Sequence, residues 1–153
     1  MAIISLRKKS GQKEKALLNA WLWKEHKTDV QWRNVRLGLA PSKEFAKAYS
    51  VILRYADAIF LKDGTVYIVE AKIRPKPDAI GQLEFYKGLF VQTPEFSAYQ
   101  NWPIELIMLT TTLDLQMAEF ASKKDISYIV VSEDEVNEIR NSLGQPQVTF
   151  EHK

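Results

Sequence analysis

Apolar positions along the chain change period several times, and each change marks an element. Leu17, Leu18, Trp21 and Leu22 recur near the helical period, with Glu25 closing the series. That spacing predicts a helix over 12–26 with Ser10 as N-cap. A polar turn at 27–29 leads into a strand over 30–39, and Pro41-Ser42 breaks it before a short helix over 42–49. Two apolar runs, 54–61 and 66–73, flank Asp63-Gly64 and read as a hairpin. Arg-Pro-Lys-Pro-Asp at 74–78 stops the second run and starts a helix over 78–90. After a loop at 92–103 come a strand at 104–111, a helix at 113–122, a strand at 126–131 and a helix at 133–143. Gly144 and Pro146 end that helix, and 148–150 is expected as a small edge strand. The order is a helix, a three-strand meander, then alternating helices and strands. It predicts an α/β domain, a central mixed sheet flanked by helices on two faces. No internal repeat or long linker divides the chain, so one domain over 1–153 is expected.

The hairpin makes three charged positions unusual. Asp-Gly favours a two-residue turn of the primed type, which pairs Lys62 with Thr65. Carried rung by rung along both strands, that register sets Asp57 opposite Glu70. Directly opposed residues have Cβ atoms roughly 4.5–5.5 Å apart, so two carboxylates there repel. Along the second strand Val66, Ile68, Glu70 and Lys72 share one face, and Tyr67, Val69 and Ala71 share the other. Both faces begin apolar, as in a central strand covered on two sides, and the polar residues come only at one end. A divalent cation resolves such repulsion: Mg²⁺ takes carboxylate oxygens and keeps several waters. The bland alternative is a solvent-exposed hairpin end, with both acids salt-bridged to Arg54, Lys72 or Arg74.

Composition narrows the chemistry. The 153 residues contain no cysteine and two histidines, His26 and His152. This excludes disulfides, thiolate catalysis, Cys-based metal sites and a histidine-rich centre, and leaves carboxylates as the main metal ligands. The formal net charge of +2 permits nucleic acid without requiring it. The start of the chain is apolar and then basic, the wrong order and length for a signal peptide, and no stretch approaches a membrane span. A cytoplasmic protein is expected, in the host cytoplasm if the gene is viral. The six glycines are scattered, which argues against a nucleotide or sugar-phosphate enzyme with a Gly-rich phosphate loop.

Asp57, followed by Glu70-Ala71-Lys72 at the end of the next strand, resembles the PD-(D/E)XK nuclease superfamily. The residue before the aspartate, often proline in the family, is Ala56 here. The resemblance spans roughly 10–112 and implies a restriction-endonuclease-like core and a Mg²⁺-dependent nuclease acting on DNA, with Mn²⁺ able to substitute. It implies that Asp57 and Glu70 bind the metal and that Lys72 supports the attacking water and the transition state. Gln82-Leu83-Glu84-Phe85-Tyr86 is similar to the Q-x-x-x-Y signature of RecB-type exonucleases, which implies that Gln82 and Tyr86 orient substrate from one helical face. The alternative is a core Tyr86 and a surface Gln82. The stretch Lys9–Glu14 resembles the opening of archaeal Holliday-junction resolvases and implies Glu14 as a third metal ligand, ahead of Glu44. A lone acid in a first helical turn is also favoured by the exposed amides there. Arg7, Lys8, Lys9 and Lys13, with Lys62, Arg74, Lys76 and Lys87, are candidate phosphate contacts. The size and lack of a motor module resemble small phage or mobile-element nucleases, and point to an endonuclease on branched or distorted DNA. The alternatives are an exonuclease and a non-catalytic nuclease-fold DNA-binding protein. Paired cuts need two sites, so a homodimer through 113–153 is also expected. Trp21 is expected in the core, as are Trp23 and Trp32, the alternative for these two being a DNA strand or a partner interface. His26 has no partner visible in the sequence.

Overall fold

The computed structural model describes residues 11–150. Arg7, Lys8, Lys9, Ser10 and His152 lie outside the described residues. The elements are α1 (Gln12–His26), β1 (Val30–Leu37), α2 (Lys43–Ala48), β2 (Arg54–Lys62), β3 (Thr65–Ala71), α3 (Pro77–Phe90), β4 (Ile104–Thr110), α4 (Leu115–Lys123), β5 (Ile126–Val130) and α5 (Glu133–Ser142). The five strands lie side by side in chain order. β1, β2 and β3 form an antiparallel meander, and β4 and β5 add parallel to β3 and to each other. The mixed sheet flanked by helices is therefore present as expected.

Two cores sandwich the sheet. On one face Val66 and Ile68 of β3 and Leu106 and Met108 of β4 pack against Ile80, Leu83, Tyr86 and Phe90 of α3. On the other, Val69 and Ala71 of β3 and Ile107 and Leu109 of β4 pack against Leu17, Leu18, Trp21 and Leu22 of α1 and Val136 of α5. The alternation along β3 puts Val66 and Ile68 under α3 and sends their neighbours to the α1 side. The turn between β2 and β3 is the expected one. Asp63 and Gly64 have φ of 50° and 76°, the left-handed pair a type I′ turn needs, and Lys62 pairs with Thr65.

The structure refines several boundaries. Gly11, not the expected Ser10, stands at the N-cap of α1, and among the described residues no side chain bonds the first turn there. Ser42 caps α2 by accepting from the Phe45 N–H. Within 92–103, Pro94–Tyr99 coils into a 3-10 helix whose Phe96 is buried. Residues 148–150 are not a strand: the Asn137 side-chain amide donates to the Val148 carbonyl and accepts from its N–H, taking the place of a strand neighbour. Trp21 is buried as expected, Trp23 is exposed, and Trp32 packs edge-on against Phe96. His26 has partners after all, stacking on Phe60 and meeting Asp29 at 2.8 Å.

Candidate active site

The end of the sheet where β3 leaves for α3 collects the charged residues picked out above. Glu70 lies in β3 with 0% relative exposure and Asp57 in β2 with 6%. This rules out the solvent-exposed hairpin end. Burying two carboxylates is costly unless something compensates their charge. The Lys72 ammonium lies 3.9 Å from Glu70 Oε2, with its side chain one-third exposed.

The regular β2–β3 ladder runs from Lys62↔Thr65 to Ala58↔Val69 and stops one rung short of Asp57 and Glu70. Asp57 instead swings its carboxylate to the strand end, where Oδ2 accepts from the Ala71 N–H at 2.9 Å. The side chain takes the role a main-chain carbonyl has in a regular ladder. Asp57 is thereby bonded to the backbone between Glu70 and Lys72.

The exit of β3 is pinned from both sides. The Ile73 carbonyl accepts from Thr110 Oγ1 at 3.1 Å and from Thr112 Oγ1 at 2.8 Å. The Tyr128 hydroxyl donates to the Thr112 carbonyl, and burial raises its pKa above the ordinary tyrosine value, so it stays a donor. The Ile73 N–H points to Glu14 Oε2 at 3.5 Å, the limit of a hydrogen bond. Glu14 thus comes from α1 to the strand end next to Lys72. Glu44 is exposed in the first turn of α2.

On α3, Gln82 and Tyr86 do face each other, with Gln82 Nε2 donating to the Tyr86 hydroxyl at 2.7 Å. Tyr86 itself is a core residue with 1% exposure. Lys13, Lys62, Arg74, Lys76 and Lys87 are all exposed.

No protein-family model matches this sequence, and a comparison with curated proteins finds no match. Solved structures do share its backbone course. A repair endonuclease from Pyrococcus abyssi is 13% identical with a TM-score of 0.49, over 82% of this chain and 50% of its own. A protein of unknown function is 14% identical with a TM-score of 0.48, over 83% of this chain and 65% of its own. The protein of an EndoMS–double-stranded DNA complex is 13% identical with a TM-score of 0.46, over 82% of this chain and 47% of its own. The chain spans about half the length of the first and third of these. Its chemistry rests on its own residues.

Those residues fit a hard divalent cation in kind. The donors at the strand end are oxygens from two buried carboxylates, and Mg²⁺ is commonly held by one or two carboxylates and waters. Among the described residues, no group of three or more acidic or histidine side chains stands close enough to form a cage. Glu14, tied to Ile73, is not drawn together with Asp57 and Glu70 into such a group.

One feature of this end was not singled out in the sequence. The connection between β1 and β2 carries Phe45 and Tyr49, both more than half exposed, with their rings 4.7 Å apart. α2, which carries Phe45 and ends at Tyr49, buries no residue. Arg54, where β2 begins, lies over the exposed ring of Phe85 on α3 at 5.4 Å. A cluster of aromatics with no apolar periodicity behind it is the signal that could have revealed them.

Proposed function

We propose that this protein is a metal-dependent deoxyribonuclease that hydrolyses phosphodiester bonds, acting as an endonuclease on branched, flapped or otherwise distorted DNA. The observation that carries the reading is the pair of buried carboxylates, Asp57 and Glu70, beside Lys72 at one strand end. A binding module gains nothing from burying two like charges together. Asp57 and Glu70 would hold Mg²⁺ or Mn²⁺, with Glu14 as the nominated third ligand. A bound divalent ion supplies Lewis acidity toward a phosphoryl oxygen and lowers the pKa of a bound water. Lys72 carries its charge where the attacking water and the developing negative charge on phosphorus are stabilised. Gln82 orients substrate from α3, with Tyr86 holding the Gln82 amide in place.

The exposed Phe45, Tyr49 and Phe85 favour unpaired DNA over a continuous duplex, because aromatic rings stack on splayed bases regardless of sequence. Arg54, Lys43 and Lys47 add positive charge beside them. A distorted substrate also brings a phosphate to a recessed site at lower deformation cost. A homodimer through 113–153 belongs to the same reading, supported by the exposure of Leu113 and Leu115. Among the described residues no helix is long and apolar enough to cross a membrane.

The test sets covalently closed circular DNA beside end-labelled linear, flap and four-way-junction substrates, each with Mg²⁺ or Mn²⁺. Nicking of the circle or discrete cuts near a junction is expected. Activity confined to free ends would replace this reading with an exonuclease. Tight binding without cleavage of any substrate would replace it with a nuclease-fold DNA-binding protein.

A further inference from the structure

Asn34 of β1 falls at the rung of Asp57 in β2, and there the sheet departs from regularity. The β1–β2 register pairs Arg33 with Ala58 and Val35 with Ala56, but Asn34 and Asp57 between them form no pair. Asn34 has φ of 52°, the left-handed region, in the middle of a strand. Few residues other than glycine adopt it, and asparagine is the commonest of those that do.

The direction of the side chains changes at the same rung. In a regular strand every second residue returns to the same face. On the α3 face, however, β1 contributes Trp32 and then Val35, while β2 contributes Ile59 and then Ala56. Both steps are odd, so both strands turn over between those positions. Ala58, inside the interval, still packs on the α1 face. The sole left-handed residue of either strand is Asn34, which marks it as the origin of the reversal, with β2 following through the ladder.

The reversal has a consequence at the site. Without it, Asp57 would share the α3 face with Ile59 and sit square against Glu70. With it, the carboxylate reaches past Glu70 to the Ala71 N–H. The Asn34 amide oxygen is buried and makes no hydrogen bond. The side chain therefore does not hold the rung through that atom, and the backbone conformation is what asparagine contributes.

We propose that Asn34 is a positioning residue for Asp57: its left-handed backbone turns the β1–β2 rung over and directs the Asp57 carboxylate to the Ala71 amide. Its importance for catalysis rests on the nuclease reading above, but its effect on Asp57 does not. The distinction from an ordinary packing role lies in which substitution rescues. Glycine adopts the left-handed region freely, alanine with strain, and a β-branched residue worst of all.

The test is amide hydrogen exchange at Ala71 in the metal-free, full-length chain, read for wild type, N34G, N34A and N34V. D57A shows the rate when the acceptor is missing. Glycine should leave Ala71 within about threefold of wild type, and valine should accelerate it about tenfold or more toward the D57A rate, as expected for local opening. Alanine should fall between, and it decides the matter if N34V does not fold. An unchanged Ala71 rate in N34A and N34V, or equal acceleration in N34G and N34V, would overturn the proposal. Titration with Mn²⁺ provides a second readout. Affinity should survive in N34G and weaken in N34V. Loss of Mn²⁺ binding in N34G with Ala71 still protected would make the amide itself a ligand and also overturn it. If wild type binds no Mn²⁺, the nuclease reading falls, and the exchange rates still decide the role of Asn34.

Discussion

A carboxylate with no exposure, like Glu70, keeps its charge only if neighbours supply what water no longer does. Lys72 at 3.9 Å supplies part of this, and a divalent ion would supply more. D57N and E70Q are therefore expected to weaken Mg²⁺ or Mn²⁺ binding in isothermal titration. They are also expected to cost little stability without metal, because each removes one of two like charges. Unchanged affinity in both variants would remove these residues from the metal site. Lys72 should behave differently. K72A is expected to retain most of the metal affinity and to lower single-turnover cleavage by roughly 10²-fold, the size typical for a group that meets developing charge. An equal loss of metal binding in K72A would point to a disturbed fold instead. Y86F discriminates at the same scale. It deletes the acceptor of the Gln82 bond at 2.7 Å and keeps the ring in the core, so about 0.5–1.5 kcal/mol of stability should be lost in urea melts.

Among the elements, the β2–β3 hairpin carries the site and its turn sets the register. Gly64 has φ of +76°, and a Cβ there would meet no atom within 4 Å. G64A is thus a purely conformational perturbation, expected to cost about 1–2 kcal/mol of stability in denaturant unfolding, since left-handed backbone penalises a Cβ by that amount. Cleavage at low temperature should persist, because the ladder from Lys62 to Ala58 still specifies the register. The connection between β1 and β2 plays the opposite part. α2 buries none of its residues, so Phe45 and Tyr49 contribute little to the core. F45A and Y49A should leave thermal unfolding nearly unchanged and weaken single-stranded DNA binding in fluorescence anisotropy, by about 1–3 kcal/mol for each lost stack. Equal affinity in wild type and the double variant would assign this helix another partner.

For the whole molecule, the charge of +2 is too small to steer DNA by itself, so any affinity must come from where the cations lie. Lys13, Arg54, Arg74 and Lys76 all belong to the end of the sheet that carries Asp57 and Glu70, by the connectivity of α1, β2 and the β3–α3 loop. Binding to DNA is expected to weaken steeply as salt rises, with a logarithmic slope close to the number of phosphates neutralised. A flat salt response would argue against phosphate contacts as the main source of affinity.

Much of this was legible in the residues themselves. Local rules determined the hairpin: Asp63-Gly64 demands a primed turn, the turn fixes the rungs near it, and alternation then assigns Val66 and Ile68 to one core and Val69 and Ala71 to the other. The chain's pattern likewise located α1, α3 and α5 to within a residue or two, whereas the capping box of Ser132 with Glu135 that opens α5 was seen only in the structure. Such signals are short-ranged, and they fail where a distant group intervenes. Continuing the register as far as Glu70 ignored what β1 does on the other side of β2. There the left-handed Asn34 interrupts the alternation, and Asp57 ends on the Ala71 amide. In the same way, Asn137 satisfies the backbone of Val148 and prevents a sixth strand. The chain's own pattern thus determined which residues approach one another. Only the packed sheet, in which nearly all buried backbone groups must find partners, decided how they meet.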